Sequence, residues 1–382
     1  MEIWRLFYSI AATMEFLMWG VYFAFTRRYV GVELGGGIQA VLFLTGLEWL
    51  YMLFAAVAGK LARLLGEKKL VLIGSLGFLP LATSAFVRNP YLISLVLSLT
   101  SLAWSFSWPA IMSSVFMTAK ERFGRAYSLF TIGTGFGWSI GSFIMGFIYL
   151  AGGPKAVLLL CSVLYLLSYL LFYFFFPVGE VSSEEYRSEF RISQLGGLKY
   201  VFIAYSLLVF CREAYFSVVP IKLSAEISRL FPEESVGFHY IVYGIVYGGL
   251  TAFLSVPVRL LAGALVDRYD PRTILKLSLA SYIALYWVFT LTEGLIPILV
   301  WQVPLYPVVD TAINVAIAKN STDESRTHAL GVGLAFSALG GLFVLPLSAY
   351  PHIDLFSVGT LITAVGVVSL AILGYGKSKA LR

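Results

Sequence analysis

The fold is decided by the stretch Gly59-Lys-Leu-Ala-Arg63-Leu-Leu-Gly66-Glu-Lys68-Lys69 and its second copy, Gly263-Ala-Leu-Val-Asp267-Arg268-Tyr-Asp270-Pro271-Arg272, about 200 residues further on. Each stretch follows one long apolar run and precedes another. A basic, glycine-containing hinge that recurs once in each half of a chain indicates an internal repeat. The sequence therefore predicts two copies of one membrane-embedded unit.

The composition indicates an integral membrane protein. Of the 382 residues, 59% are hydrophobic and 13% are charged, whereas soluble domains carry roughly 25% charged residues. The first apolar run is long enough to span a bilayer and lacks a small-residue cleavage site, so we interpret it as a spanning helix rather than a signal peptide. Cys161 and Cys211 lie inside apolar runs, which favours two buried thiols over a disulfide. Because no His, Cys, Asp or Glu cluster has ligand spacing and no phosphate-binding glycine loop occurs, we expect neither a metal nor a cofactor.

Twelve apolar runs follow one another along the chain, and most are about 20 residues long, enough to cross roughly 30 Å of hydrocarbon. They begin near Leu6, Ile38, Leu70, Leu92, Tyr127, Ala156, Tyr200, Val236, Thr273, Leu295, His328 and Ile353. The longest polar segment divides six runs from six. We predict one bundle at 1–178, a cytoplasmic linker at 179–198 and a second bundle at 199–382.

The distribution of Lys and Arg in the loops predicts the orientation. With the N-terminus inside, twenty basic residues fall on the inner side and six on the outer side. The outer six are Arg27, Arg28, Arg88, Lys155, Lys222 and Arg229. This asymmetry predicts a multi-pass protein of the cell membrane with both termini in the cytoplasm. It also accounts for the net charge of +6 without a nucleic-acid partner.

The repeated hinge resembles the Gly-x-x-x-Asp-Arg-x-Gly-Arg loop of the major facilitator superfamily, found between helices 2 and 3 and again between helices 8 and 9. Gly263, Asp267, Arg268 and Arg272 fall on this pattern, whereas Arg63 replaces the acid in the first copy. The resemblance implies an all-α integral membrane fold of twelve transmembrane helices, in two six-helix pseudo-symmetric bundles around a central cavity. It implies a monomeric secondary transporter without a cofactor, with helices 1, 4, 7 and 10 lining the cavity.

Five ionisable residues remain at membrane depth once the loop charges are removed: Glu15, Glu48, Arg212, Glu213 and Asp310. Each charge at the bilayer centre costs about 2.5–3.5 kcal/mol on insertion scales, so we expect these side chains to face a cavity or one another. Four acids and one base predict an acidic cavity in which a carboxylate binds a proton, or a cation such as sodium, during part of the cycle.

We predict that these four acids couple transport to protons, with Glu15 and Asp310 as the best carriers because each stands alone on an uncharged cavity face. Glu213 is rotated about 100° from Arg212 around a helix, so these neighbours are not expected to point the same way. The alternative is that the acids form fixed ion pairs with Arg212 that hold the halves together.

Aromatic and polar side chains at helical spacing predict the substrate-binding wall. Gln302, Tyr306, Asp310 and Asn314 recur every four residues, and Pro304 and Pro307 among them predict a bend. The other expected lining residues are Trp19, Tyr22, Trp104, Trp108, Tyr205, Arg212, Tyr215 and Tyr243. Aromatic rings with surplus acid suit an amphipathic or cationic organic compound, and we predict its efflux. The alternative is proton-linked uptake of a small nutrient, namely a nucleoside, a sugar or a carboxylate.

The hinges predict gates at the cytoplasmic ends of the helices, formed by Gly59, Arg63, Gly66, Gly263, Asp267, Arg268, Arg272, Arg125 and Arg326. We expect Asp267 to approach a helix N-terminus near Arg125. Arg63 is expected to pair with an acid such as Asp323 or Glu324. The alternative is that these charges only set the topology.

Gly133, Gly137 and Gly141 occupy every fourth position of the fifth run. They predict close helix packing. The proline that accompanies such glycines in drug/proton antiporters of the superfamily is absent, so the stripe does not establish antiport.

Two other functional classes fit less well. A channel would need a continuous polar pore without alternating gates. A membrane enzyme would need a catalytic constellation, whereas His239, His328 and His352 are scattered, so we do not expect an enzyme.

Overall fold

In the computed structural model, the described residues are 3–117, 123–176, 198–319, 321 and 326–380. Within these ranges the chain is helical apart from short turns and contains no strand. The predicted linker lies almost entirely outside them, so the predicted domain boundaries stay a prediction.

Six crossing helices form the first half. They are α1, Ile3–Arg28; α2, Gly37–Leu65; α3, 67–84, in which Glu67–Gly74 and Phe78–Ser84 flank a 3-10 turn; α4, Pro90–Met117; and α5 and α6, the arms 123–152 and 154–174 of the helical run Phe123–Phe174. A π turn, Tyr29–Glu33, extends α1.

The chain reverses direction between α5 and α6 at Gly153, whose φ of 65° lies in the left-handed region that favours glycine. A Cβ added at Gly141 would lie 2.0 Å from the carbonyl oxygen of Leu17. The Sγ atom of Cys161 lies 4.0 Å from the carbonyl oxygen of Met18. Residues of both arms therefore contact the same turn of α1, which requires the run to fold back on itself.

Six helices also form the second half. They are α7, Leu198–Leu230; α8, Val236–Arg268, with a π turn at Ile245–Gly249; α9, Pro271–Leu291; α10, Leu295–Lys319, in the two pieces Leu295–Trp301 and Tyr306–Lys319; α11, Arg326–Ala349; and α12, Leu355–Ala380. Each helix begins close to the predicted start of its run. The predicted fold class, twelve crossing helices in two bundles, is confirmed.

The most extensive contacts between the two halves are those of α5 with α8 and of α2 with α11. Ser139 Oγ on α5 donates a hydrogen bond to the carbonyl oxygen of Gly249 on α8 at 2.6 Å. Gln39 Nε2 on α2 donates to the carbonyl oxygen of Pro351, just before α12, at 3.2 Å. We call the side on which α1 begins and α12 ends the termini side, and the opposite side the far side.

The glycine stripe of the fifth run packs α5 against α1. A Cβ added at Gly137 would lie 2.1 Å from the carbonyl oxygen of Thr13, and one at Gly133 would lie 2.8 Å from the Thr13 hydroxyl oxygen. The prediction of close helix packing is confirmed. The prediction of buried thiols is also confirmed, since Cys161 and Cys211 are free and buried.

Candidate functional site

A cavity of about 330 Å³ lies between the two halves at mid-depth. Eight of the predicted lining residues are on its wall: Trp19, Trp104, Trp108, Tyr205, Arg212, Tyr215, Tyr306 and Asn314. The side chain of Tyr22 is instead buried within the first bundle, and that of Tyr243 is buried between the halves, with its ring centroid 5.5 Å from the Arg28 guanidinium; neither is on the wall. Gln302 is also off the wall, because the helix breaks between the two pieces of α10 and its amide nitrogen donates to the carbonyl oxygen of Val246 at 2.9 Å.

The wall of the first half is mainly aromatic. The rings of Trp104 and Trp108 stack, with centroids 5.1 Å apart and an interplanar angle of 17°. Phe23 and Trp138 stack at 5.0 Å, and Trp19 meets Trp104 edge to face at 6.4 Å. These rings offer the cavity a broad surface on which a flat or ring-shaped solute can stack.

Glu48 lines the cavity, and its carboxylate is held by two residues of α1. Arg27 Nη1 donates to Glu48 Oε1 at 3.1 Å, Arg27 Nη2 donates to Oε2, and the Tyr22 hydroxyl donates to Oε1 at 2.6 Å. The Arg27 guanidinium also lies 3.9 Å from the ring centroid of Phe23. The assignment of Arg27 to an outer loop is therefore wrong: its side chain is buried, because α1 continues past it inside the bundle.

Arg212 binds two carboxylates on the wall of the second half. Its Nε atom donates to Glu213 Oε1 at 2.8 Å, and its Nη1 atom donates to Asp310 Oδ1 at 3.1 Å. The expectation that Arg212 and Glu213 point in different directions is wrong, since the long arginine side chain bends back to its neighbour. The expectation that Asp310 stands alone on an uncharged face is also wrong. Pairing with Arg212 is part of the alternative stated for the acids, but Arg212, Glu213 and Asp310 all belong to the second half, so these ion pairs do not hold the halves together.

Glu15 is the exception among the membrane-depth acids, because it does not lie on the cavity wall. Its fully buried carboxylate accepts hydrogen bonds from Trp19 Nε1 at 2.9 Å and from Ser168 Oγ on α6 at 2.6 Å. The prediction that it faces the cavity is wrong, since Trp19 occupies the wall in its place. Both hydrogen-bond partners are neutral.

Arg259 is one of the twenty basic residues that the loop count placed on the inner side, yet it lines the cavity from α8. Its Nη2 atom lies 3.4 Å from the Tyr306 hydroxyl, and its guanidinium lies 5.5 Å from the centroid of that ring. Arg259 precedes Asp267 by two helical turns, so it lies about 12 Å from the hinge along α8, towards the middle of the membrane. This spacing could have shown from the sequence that Arg259 is not a loop residue.

The charges at the cavity are consequently balanced. The cations Arg27, Arg212 and Arg259 stand against the carboxylates Glu48, Glu213 and Asp310. The expected acidic excess is wrong, because two arginines were counted as loop residues and Glu15 lies elsewhere.

On the termini side, α2 and α11 approach closely. A Cβ added at Gly59 would lie 2.6 Å from the Cα atom of His328, and the Thr327 hydroxyl donates to the Glu67 carboxylate across the two halves. Gly66 turns the chain between α2 and α3 with a φ of 86°. Arg63 is exposed, whereas Arg326 is buried at the start of α11.

Two contacts of the second hinge lie within its own half. Asp267 accepts from Lys319 Nζ at 3.1 Å, which joins the ends of α8 and α10. Asp270 caps α9 by accepting from the backbone nitrogen of Arg272 at 2.8 Å. Gly263 is buried in α8 and Arg268 is exposed. The side chain of Arg125, and residues 322–325 with Asp323 and Glu324, lie outside the described part, so their pairing stays a prediction.

A second set of contacts joins the halves on the far side, and we call it the far-side cluster: Arg28, Glu33, Tyr149, Ser224 and Tyr240. Glu33 Oε2 accepts from Tyr240 at 2.6 Å and from Tyr149 at 2.9 Å. The rings of Tyr149 and Tyr240 stack with centroids 4.0 Å apart. The Arg28 guanidinium lies 4.3 Å from the centroid of Tyr240 and 3.4 Å from the Ser224 hydroxyl. Arg28 is therefore buried at the interface and is not a loop residue.

Comparison with known proteins identifies one family along most of the chain. The sequence model of the Major Facilitator Superfamily matches residues 8–345. A curated relative, sugar efflux transporter A of Escherichia coli (strain K12), is 27% identical over 154 residues, which is 39% of this chain and 36% of the relative. The match thus spans about a third of the relative's length.

Solved structures share the arrangement of the helices. The crystal structure of the nucleoside transporter NupG has a TM-score of 0.68 and 14% identity, and the match covers 98% of each chain. The human organic anion transporter MFSD10 has a TM-score of 0.69 and 11% identity, and the match covers 98% of this chain and 100% of that chain. At such low identity these likenesses show the fold alone.

Proposed function

The chain belongs to the major facilitator superfamily, and on that premise we propose that this transporter of small solutes works by alternating access in the cell membrane as a monomer. Its two pseudo-symmetric halves enclose one cavity and contact each other on both sides of it, which is the arrangement that rocking of one half against the other requires. The excess of basic residues in the loops of the termini side supports cytoplasmic termini.

We propose a neutral, hydroxyl-bearing ring compound as the solute, in the chemical class of sugars and nucleosides. The observation that carries this proposal is the pairing of an aromatic wall, with Trp104 stacked on Trp108, and a wall bearing the hydrogen-bonding groups of Arg212 and Asp310. Such a site can stack on the face of a ring and bind its hydroxyl groups at the same time. The balanced charges of the cavity favour an uncharged solute, and the partial likeness to a sugar efflux transporter supports the same class.

An organic cation is the second candidate. The side chain of Asp310 is 34% exposed even while it pairs with Arg212, so a cationic solute could compete for this carboxylate. The surrounding rings would add cation–π attraction. Under this candidate the direction of transport is efflux.

We propose that the proton is the coupling ion, with sodium as the alternative. An ionised carboxylate that is buried without a cationic partner has a high desolvation cost, and Glu15 has two neutral hydrogen-bond partners. Asp310 and Glu213 both line the cavity and pair with Arg212, and Asp310 is the more exposed of the two, with 34% of its side chain exposed against 10% for Glu213. We propose that Glu15 holds the transported proton and that Asp310 connects solute binding with the Arg212 ion pairs.

The experiment compares binding and transport of three probes: phenyl β-D-glucoside, uridine and phenyltrimethylammonium. Binding is followed by tryptophan fluorescence of the purified protein, and exchange is followed by counterflow in proteoliposomes. Trp104→Ala should abolish binding of the preferred probe. Its control is Trp287→Ala, because Trp287 donates to Thr363 on α12 and lies off the cavity wall.

The outcomes separate the candidates. Saturable binding and counterflow of the glucoside or uridine support the first candidate, and selective binding of phenyltrimethylammonium supports the second. Equal, non-saturable passage of all three probes would contradict alternating access and indicate a channel. A change in the pH of the lumen during solute exit, acidification for antiport or alkalinisation for symport, would identify the proton as the coupling ion, whereas dependence on sodium alone would contradict it.

A further inference from the structure

Two tyrosine hydroxyls on the wall of the second half have no hydrogen-bond partner within the described part of the chain. They belong to Tyr215 on α7 and Tyr282 on α9. Both residues line the cavity, yet each side chain is only 4% exposed. On the opposite wall, the indole N–H of Trp104 is likewise shielded from solvent and has no partner among the described residues.

Buried polar groups in folded proteins nearly always have a partner. A tyrosine that served only for packing could be a phenylalanine, which would fill the same space without burying a hydroxyl. Two such hydroxyls at one cavity, with an indole N–H across from them, therefore call for a functional explanation.

The ring of Tyr215 is held in place by other aromatic rings. Tyr215 makes edge contacts with Tyr286, Phe289 and Trp301, at centroid distances of 5.0, 5.3 and 5.6 Å. Packing on several sides leaves the ring little rotational freedom, so its hydroxyl is positioned before any solute enters. A pre-positioned donor loses less entropy when it binds.

We propose that the hydroxyls of Tyr215 and Tyr282, together with the indole N–H of Trp104, are specificity-determining donors that bind the oxygen atoms of the solute. This inference rests on the proposed function, because a hydroxylated ring compound offers acceptors to both walls. Two donors belong to the second half and one to the first, so a bound solute would connect the halves. A site built to hydrogen-bond a solute oxygen rejects an analogue that lacks it, because its buried donors stay unpaired.

The test measures binding of phenyl β-D-glucoside and uridine to the wild-type protein and to Tyr215→Phe and Tyr282→Phe. Each variant keeps the ring and removes one hydroxyl. We expect binding to weaken roughly 3- to 10-fold for each variant, which is the usual effect of one hydrogen bond.

The matched control is Tyr243→Phe. The Tyr243 hydroxyl is also buried without a partner in the described part of the chain, but its ring lies beside Arg28 at the interface of the halves and is not on the cavity wall. We expect this variant to bind both probes as the wild type does.

A second measurement separates recognition from a structural role. Monodeoxy analogues of phenyl β-D-glucoside are titrated against each variant. If Tyr282 donates to one solute oxygen, the loss caused by Tyr282→Phe disappears for the one analogue that lacks that oxygen. A structural role would lower the affinity for every analogue alike.

The inference is overturned, and the proposed function survives, if the wild type binds the glucoside or uridine and both cavity variants bind as well as Tyr243→Phe does. A uniform loss across all deoxy analogues would also overturn it. If the wild type binds neither probe but binds phenyltrimethylammonium, the sugar-or-nucleoside proposal and this inference fall together.

Discussion

At the scale of single residues, the charged side chains at membrane depth fall into two kinds. Glu48, Glu213 and Asp310 each have an arginine partner, whereas Glu15 accepts only from neutral groups. Replacing one member of a buried ion pair by a neutral residue leaves the charge of its partner uncompensated. Replacing Glu15 by a neutral residue leaves no such charge, because both of its hydrogen-bond partners are neutral. The two kinds should therefore respond differently to the same Glu→Gln substitution.

Glu15→Gln should abolish proton-coupled transport and leave the fold intact. The amide oxygen can still accept from Trp19 Nε1, and the amide NH2 group can donate to Ser168 Oγ, whose hydroxyl can also accept, but the side chain can no longer take up or release a proton. Proton-driven transport and counterflow are measured in proteoliposomes, and thermal unfolding serves as the control for folding. Retained proton-driven transport would contradict the role of Glu15.

Glu48→Gln should destabilise the protein by about 3–5 kcal/mol, because the buried guanidinium of Arg27 loses its counter-charge. The measurement is the free energy of unfolding in detergent. The matched control is Glu293→Gln, which breaks the exposed pair with Arg229 and should cost less than about 1 kcal/mol. An equal effect of the two substitutions would show that the Arg27–Glu48 pair contributes no more than a surface pair.

At the scale of helices, close approach and helix breaks position the site. α5 contacts α1 through glycines that leave room only for backbone, which holds Trp138 of α5 beside Phe23 of α1 on the cavity wall. The break between the two pieces of α10 removes Gln302 from the wall and leaves Tyr306, Asp310 and Asn314 on it. The two prolines predicted the bend, but the direction in which Gln302 turns depends on the contact with Val246 of α8.

Gly141→Ala should destabilise the protein by about 1–3 kcal/mol, because the added methyl group would lie 2.0 Å from the carbonyl oxygen of Leu17 and the two helices must move apart. The measurement is the midpoint of thermal unfolding. Gly374→Ala on α12 is the control, since a Cβ there meets no atom within 4 Å, and it should leave stability unchanged or raise it slightly. Equal stability of the two variants would argue against tight packing of α1 on α5.

At the scale of the whole molecule, the halves contact each other on both sides of the cavity. The termini side has backbone-close packing of α2 on α11, as at Gly59 and His328, and the hydrogen bond from Thr327 to Glu67. The far side has backbone-close packing of α5 on α8, as at Gly146 and Ile241, together with the hydrogen bonds and stacked rings of the far-side cluster. Hydrogen bonds of this type can break and re-form as one half rotates, so the far-side cluster is suited to a reversible closure of the cavity.

Tyr240→Phe should shift the population toward conformations that are open on the far side, because it removes the hydrogen bond from the second half to Glu33. The distance between spin labels at Tyr91 and Glu233 on that side is measured, and we expect a larger fraction of long distances. Tyr149→Phe is the matched control: it removes a hydrogen bond to the same carboxylate, but within the first half. Identical distance distributions for wild type and Tyr240→Phe would exclude the far-side cluster as a closure.

The sequence by itself determined the number of crossings, the repeat and most of the aromatic wall. Hydropathy and helical periodicity are local properties, so the twelve runs and residues such as Trp104 and Trp108 could be read from short windows. The glycine stripe was equally local, since close packing needs only small residues at every fourth position.

Only the tertiary structure decided which charges pair and which side chains face the cavity. Arg27 meets Glu48 of another helix, and Arg212 meets Asp310 of α10, 98 residues away in the chain. Long arginine side chains reach partners that the angle around a helix does not predict. The burial of a side chain depends on the neighbouring helices, so it cannot be predicted from the sequence of one apolar run. The balance of charge in the cavity, and with it the class of solute proposed, follows from these contacts between helices.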